Sequence, residues 1–120
     1  MARWLERYVA AWKSGDPKHI GDLFGEDARY RYHPYDEPIV GRQAIVDSWV
    51  ADPDPPGSFE ARYERFAVDG DRAVAVGAST YLAEDGSVDR VYDNVFLLEF
   101  DDAGRCSDFT EWYVKRPSPA

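Results

Sequence analysis

The sequence predicts an α+β fold in which three N-terminal helices pack against a strongly curved, mostly antiparallel sheet. Apolar residues recur at helical spacing in stretches up to Val50, whereas from Phe59 onward they follow the pattern of strands separated by turns. One of these strands is apolar on both faces between Val91 and Phe100, and such a strand is normally covered on both sides. A curved sheet wrapped around the helices satisfies both observations.

Two helices are predicted at the start of the chain. The first runs from Ala2 to Ser14, because its large apolar residues share one helical face, and Gly15 ends it. Asp16 is a suitable N-cap and Pro17 suits the first helical position, so a second, short helix is predicted to continue to Gly25. The Gly15-Asp16-Pro17 sequence therefore separates two helices.

A strand and a third helix follow. Residues 28–33 are predicted as a strand, because Tyr30 and Tyr32 alternate with arginines, and residues 34–38 as an irregular connection. Gly41 opens the third helix, whose expected buried stripe is Ala44, Ile45, Trp49 and Val50. The proline-rich stretch 52–57 can only be a loop.

The remainder is predicted to be four antiparallel strands. Two span residues 59–68 and 72–82, and two more lie between Val88 and Val114, joined by a turn at 101–104. In the last strand, Glu111 shares a face with Phe109 and Tyr113. A carboxylate among aromatic residues is the feature of this sequence that most strongly indicates a functional site.

Composition restricts the classes of function. The 120 residues carry a net charge of −9, and the 14 lysines and arginines are scattered, which argues against nucleic acid or an anionic membrane as a partner. Cys106 is the single cysteine, and no stretch of 18 apolar residues occurs. We expect a soluble, cytoplasmic protein with one domain at residues 1–116 and a loose tail at 117–120.

The order of these elements resembles the nuclear transport factor 2-like superfamily, which includes SnoaL-like polyketide cyclases and ketosteroid isomerases. The most telling stretch runs from Arg7 to Ile45: an aromatic first helix, a Gly-Asp break, Leu-Phe before Glu-Asp-Ala, a strand, and Gly41 before the third helix. The resemblance implies a cone-shaped α+β barrel with a ligand pocket in its mouth. It does not imply a particular reaction.

Pocket positions are carried over from the resemblance by local alignment. The catalytic candidates are Glu111, Tyr32 and Asn94. The substrate-binding candidates are Tyr8, Trp12, Tyr30, Trp49, Tyr92, Phe96 and Phe109. The inner positions of the 72–82 strand are expected at Val74, Val76, Ala78 and Thr80.

The catalytic sets of the better-known relatives are incomplete here. Tyr8 matches the oxyanion-donor tyrosine of ketosteroid isomerases, but Tyr32 and Phe96 occupy the positions of their two aspartates. Ala78 and Thr80 occupy two of the three positions that epoxide hydrolases need. His33 could suit a dehydratase; strand alternation directs it away from Tyr30 and Tyr32, and the sequence leaves open whether it lines the pocket. The remaining chemistry is acid–base catalysis by Glu111, with an amide and tyrosine hydroxyls to hold a carbonyl oxygen.

Three readings stay open at this point. The protein is a cofactor-independent isomerase, cyclase or dehydratase, a ligand-binding protein without turnover, or an interaction module whose cavity is filled by tryptophans. No metal or cofactor is expected, and the ligand is expected to be a small hydrophobic or aromatic molecule. In all three readings a homodimer is expected through the outer sheet face, at Val91, Val95, Leu97, Thr110 and Trp112.

Overall fold

Three helices and six strands make up the described part of the chain. In a computed structural model, residues 2–55 and 57–117 are described, so Pro56 and most of the expected tail lie outside it. The helices are α1 (Ala2–Ser14), α2 (Pro17–Gly21) and α3 (Arg42–Ala51). The strands are β1 (Phe24–Arg31), β2 (Ile39–Val40), β3 (Phe59–Asp69), β4 (Arg72–Leu82), β5 (Val88–Phe100) and β6 (Cys106–Lys115).

The strands form one sheet in the order β2-β1-β6-β5-β4-β3. Neighbouring strands are antiparallel except β1 and β6, which run parallel. Strands β3 to β6 form a meander, and its last strand, β6, pairs with β1. The fold is therefore α+β with a mostly antiparallel sheet, as predicted. The helices do not form one N-terminal block, since α2 has a single turn and α3 follows two strands.

Aromatic rings join α1 to the inner face of the sheet. Tyr8 stacks on Phe109 of β6 with ring centroids 5.7 Å apart, and it also packs against Phe96 of β5. Trp4 is buried beside them and donates its indole N–H to the Leu23 carbonyl at 3.0 Å. The amphipathic pattern of the first helix thus places its apolar face on the sheet.

The boundary between α2 and β1 differs from the prediction. Asp16 caps α2 as expected, by accepting a hydrogen bond from the Lys18 N–H. The helix ends at Gly21 and does not continue to Gly25, because the Leu23 carbonyl accepts the backbone N–H of Cys106 at 2.8 Å. Strand pairing with β6 therefore begins where local propensity favoured more helix.

The short strand β2 was not predicted. Its two residues pair antiparallel with Arg29 and Tyr30 of β1, between the predicted irregular connection at 34–38 and Gly41, where no element was assigned. In α3, Ile45 is buried and Trp49 and Val50 pack against the core as expected, whereas Ala44 is exposed and Val46 is buried in its place.

The inner face of β4 was assigned to the wrong set of residues. The buried residues of this strand are Ala73, Ala75 and Ser79, whereas Val74, Val76, Ala78 and Thr80 lie on the other face. Both faces of β4 carry small or apolar residues, so alternation alone cannot choose between them. Pairing decides, because Ala75 lies opposite the fully buried Phe96.

Candidate functional site

Glu111 lies on the inner face of β6, where its side chain is partly buried. The Asn94 amide donates to Glu111 Oε2 at 2.6 Å, and the Ser79 hydroxyl donates to Asn94 Oδ1 at 3.1 Å. Glu111 follows Phe109 by two residues, so the strand period places both side chains on the face that covers the core. This three-residue chain fixes one carboxylate oxygen and leaves the other without a hydrogen bond from the described residues.

Burial governs the protonation of Glu111. Loss of hydration raises the pKa of its carboxyl to about 7, although the Asn94 hydrogen bond and the field of His33 both act in the opposite direction. A carboxyl with this pKa is present in both protonation states near neutral pH. It can therefore accept a proton as a base or donate one as an acid.

A cavity of about 490 Å³ opens beside Glu111. Its volume lies in the range of small-molecule sites. Seven of the eight tyrosines line it: Tyr8, Tyr30, Tyr32, Tyr63, Tyr81, Tyr92 and Tyr113. The cavity shows that the tryptophans do not fill the interior, contrary to what the interaction-module reading required.

Burial favours the protonated form of several of the lining tyrosines. Burial raises the pKa of Tyr8 and Tyr30 well above the ordinary value, and the nearby charge of Glu111 raises them further. Burial likewise raises the pKa of Tyr81 to about 12. The Tyr32 hydroxyl shares a hydrogen bond of 2.7 Å with Ser48. The cavity wall thus presents phenol groups that can donate to a ligand oxygen.

Phe96 and Phe109 do not line the cavity, although both were expected to touch substrate. Each is 0% exposed and belongs to the core. Phe109 lies parallel to the ring of Tyr30 at 4.4 Å, and Phe96 packs on Tyr63 at 4.6 Å. Their role in the structure is to support the lining tyrosines from behind.

The two predicted tryptophans line the cavity from the helical side. Trp12 stacks on Phe59 at 3.8 Å and donates its indole N–H to Asp54 at 2.9 Å, which ties the loop after α3 to α1. The Trp49 indole N–H is buried and makes no hydrogen bond of good geometry with the described residues, although it lies close enough to the Tyr30 hydroxyl to act on the pKa of that group. A buried donor without a partner is costly, so a ligand acceptor placed there would stabilise it.

Several lining residues were not predicted. Ser79 and Tyr81 were missed because the inner face of β4 was assigned to the opposite set. Tyr63 lies on β3, directly opposite Gly77 of β4. Arg90 lies with its guanidinium 4.2 Å from the centre of the Tyr81 ring at the cavity wall. Tyr113 could have been found, because it shares the face of Glu111.

The corrected inner face of β4 changes which residues occupy the epoxide-hydrolase positions, but the catalytic set of those enzymes is still incomplete. The inner residues near Glu111 are Gly77 and Ser79 in place of Ala78 and Thr80, and neither carries a carboxylate.

In the described ranges 2–55 and 57–117, no group of three or more His, Cys, Asp or Glu side chains is arranged to hold a metal ion.

His33 lies just beyond the end of β1, half-buried, and contacts Tyr113 at the edge of the cavity. Its Nε2 is 2.7 Å from the Tyr113 hydroxyl and its Nδ1 is 2.9 Å from Asp36 Oδ2. The sequence left the position of this residue open, and it does not belong to the cavity lining itself.

Comparison with known proteins agrees with the fold. The family model described as a SnoaL-like domain matches residues 5–109, and the chain therefore belongs to the SnoaL-like domain family. That match ends before Glu111. No curated protein matches the chain.

Two solved structures have the same fold. An NTF-2 like protein of unknown function from Burkholderia xenovorans LB400 is 22% identical, with 98% of this chain and 84% of that chain covered and a TM-score of 0.71. A "putative ketosteroid isomerase" from Kribbella flavida DSM 17836 is 21% identical, with 99% and 81% covered and a TM-score of 0.68. Among the described residues, every helix falls short of the length and apolarity needed to traverse a bilayer.

Proposed function

We propose that this protein binds a small aromatic or polyketide-like carbonyl compound in a cone-shaped pocket and catalyses a proton transfer with Glu111. The reaction class is isomerisation, cyclisation or dehydration without a cofactor. The observation that carries the proposal is a carboxyl of raised pKa, hydrogen-bonded to Asn94, at the wall of a cavity of about 490 Å³.

Each group has a role that follows from its surroundings. Glu111, held through Asn94 with one oxygen free, abstracts a proton from the carbon next to the carbonyl. Negative charge then develops on the carbonyl oxygen, and phenol donors such as Tyr32 stabilise it. Tyr8, Tyr30 and the unpartnered Trp49 N–H supply further donors on the helical side of the cavity.

The likeness to the protein named a "putative ketosteroid isomerase" supports this class of chemistry at the level of fold. The known isomerase set is still incomplete, because Phe96 occupies one aspartate position and lies fully buried beneath the cavity. A dedicated steroid isomerase is therefore not proposed. The general reaction, abstraction of an acidic C–H proton, needs only one base and hydrogen-bond donors to the oxygen.

The test is exchange of α-protons for deuterium in 2-tetralone, an enolisable aromatic ketone, followed by NMR in D₂O. We expect exchange to accelerate as Glu111 ionises, with a midpoint near pH 7. Glu111→Gln should lower the rate by about 100-fold or more while binding of the ketone is retained. Glu64→Gln, a change at an exposed carboxyl on β3, is the matched control and should keep the wild-type rate.

The ligand-binding alternative makes a different prediction for the same samples. If wild type and Glu111→Gln bind 2-tetralone equally and exchange its protons no faster than buffer does, the pocket binds without turnover. If neither binding nor exchange occurs, the proposed substrate class is wrong.

We also propose that the outer sheet face forms a homodimer. Val95, Leu97 and Trp112 are 37%, 43% and 41% exposed on neighbouring strands, and Val95 lies directly opposite Trp112. Of the other expected contact residues, Val91 is half-buried and Thr110 is buried within the protomer. An adjacent set of large apolar side chains on one face is typical of an interface. Sedimentation velocity at micromolar concentration tests it, and a monomer mass at every concentration would contradict it.

A further inference from the structure

A second line of hydrogen-bonded groups reaches the cavity from the protein surface. Asp36 Oδ2 accepts the Nδ1–H of His33 at 2.9 Å, and His33 Nε2 lies 2.7 Å from the Tyr113 hydroxyl. Tyr113 lines the cavity, and it lies two residues from Glu111 on the same face of β6. The three groups connect solvent to the cavity through two short hydrogen bonds.

The turn after β1 holds the imidazole in one orientation. The backbone N–H of His33 donates to the same Asp36 oxygen at 3.2 Å, and the Arg31 guanidinium donates to the Asp36 carbonyl at 3.3 Å. The ring of Tyr35 stacks on His33 at 5.1 Å with an angle of 14°. Because Nδ1 faces a carboxylate, it carries a proton, and Nε2 is left for Tyr113.

All three groups are partly exposed to solvent, Tyr113 included at 44%. The side chains of His33 and Asp36 are 34% and 33% exposed, so they exchange protons with bulk water. Tyr113 stands at the cavity rim with the Tyr92 ring perpendicular to it at 5.3 Å. A proton can therefore enter at His33 and leave at the Tyr113 hydroxyl.

We propose that Asp36, His33 and Tyr113 form a proton relay, in which Tyr113 is the second proton-transfer group of the site, opposite in role to Glu111. The inference rests on the proposed function, and it assigns the substrate oxygen to the Tyr113 side of the cavity. The substrate class is a carbonyl or β-hydroxycarbonyl compound whose oxygen gains a proton as the neighbouring C–H bond breaks.

The proton transfers balance with these groups and bulk water. Glu111 takes the C–H proton, and the electron pair of that bond forms a carbon–carbon double bond as the carbonyl π pair moves to oxygen. The Tyr113 hydroxyl gives its proton to that oxygen, and the phenolate left behind takes a proton that His33 Nε2 accepts from bulk water, while the Nδ1–H stays on Asp36. In the dehydration version, the C–O bond breaks and the departing oxygen receives the Tyr113 proton to leave as water.

The charged and titratable groups around His33 fit this task. Asp36 compensates an imidazolium, and the carboxyl of Glu111 is near enough for His33 to act on its pKa. Arg31 donates to the Asp36 carbonyl and also pairs with Asp108 at 3.8 Å. Tyr35 is 82% exposed; its ring stacks on His33, and its hydroxyl is not one of the hydrogen-bonded groups of the relay.

The alternative is that Asp36 and His33 only cap the turn and that Tyr113 is a passive wall residue. Long-range ¹H–¹⁵N spectra of ¹⁵N-histidine-labelled protein distinguish the two without any substrate. We expect the imidazole proton on Nδ1, against Asp36, and an Nε2 resonance shifted by a hydrogen bond accepted from Tyr113. Tyr113→Phe should move that Nε2 resonance downfield. His19, the only other histidine, lies on α2 and is the internal reference.

Deuterium exchange into 2-tetralone tests the relay itself. We expect Tyr113→Phe and His33→Gln each to slow the Glu111-dependent exchange by about 100-fold, the effect typical of losing one proton-transfer group. The double variant should be no slower than either single variant, since a relay fails as a unit. Tyr35→Phe keeps the stacking ring and should leave the rate unchanged.

The results separate this inference from the proposed function. Additive losses in the double variant, or a His33 Nε2 resonance unmoved by Tyr113→Phe, would overturn the relay. If Glu111→Gln exchanges as fast as wild type, the proposed function fails instead, and the NMR spectra still decide whether His33 and Tyr113 are joined.

Discussion

Replacing Glu111 with glutamine should stabilise the protein in alkaline solution and change little in acid. Burial raises the pKa of the Glu111 carboxyl from its ordinary value of 4.5 to about 7 in the folded chain. The folded state therefore holds this proton more tightly than the unfolded state. The resulting contribution to stability is complete below about pH 4.5 and is lost as the pH rises through about 7.

The size of the effect follows from the two pKa values. At about 1.36 kcal/mol per pH unit, the difference corresponds to about 3 kcal/mol. Water in the open cavity hydrates the carboxylate and reduces this figure, so we expect about 2 kcal/mol at about pH 8.5. Glutamine avoids the cost, because it is neutral and keeps an oxygen that can accept the Asn94 N–H.

Urea denaturation followed by tryptophan fluorescence measures the difference. Wild type and Glu111→Gln are compared at about pH 4.5 and about pH 8.5 with linear extrapolation. Glu64→Gln, at an exposed position on β3, should change the free energy of unfolding by less than about 0.5 kcal/mol at either pH. A Glu111→Gln variant that is less stable than wild type at the higher pH would refute the argument that burial dominates.

Two further predictions concern the sheet. Gly77→Ala would place its Cβ directly against the Arg62 carbonyl and 2.6 Å from Tyr63 Cδ1, so we expect a loss of about 3 kcal/mol in urea denaturation. The neighbouring Ala78→Gly should cost only about 0.5–1 kcal/mol, and equal losses would contradict the steric explanation. On the outer face, Trp112→Glu should dissociate the proposed dimer in sedimentation velocity, whereas Trp112→Phe should keep it. A dimer that persists in Trp112→Glu would place the interface elsewhere.

Local signals predicted the elements whose ends depend on nearby residues. The helix from Ala2 to Ser14 and the strand from Arg72 to Leu82 have the predicted bounds, because helical spacing and turn residues act within a few positions. Gly104, with φ 79°, supplies a positive φ in the predicted turn between the last two strands. The alternation of β6 also indicated that Glu111 faces the same side as Phe109.

Longer-range pairing decided where local signals were ambiguous. The chain around Leu23 and Phe24 suits a helix, and it became strand because Cys106 pairs with it from β6. β4 is apolar or small on both faces, so only its register against Phe96 determined which residues face the core. Long-range packing also decided how deeply each inner residue is buried. Phe96 and Phe109 lie on the same sheet face as the cavity residues, but tyrosines pack over them and separate them from the cavity.

By itself, the sequence determined the α+β class, the strand-rich C-terminal half and the inward carboxylate at Glu111, since each depends on periodicity within one element. Only the tertiary structure decided the composition of the site. His33 and Tyr113 are 80 residues apart in the chain, and they meet because β1 pairs parallel to β6 and brings the two strand ends together. The pKa of Glu111 also depends on the whole enclosure, because desolvation is set by every group that excludes water around the carboxyl.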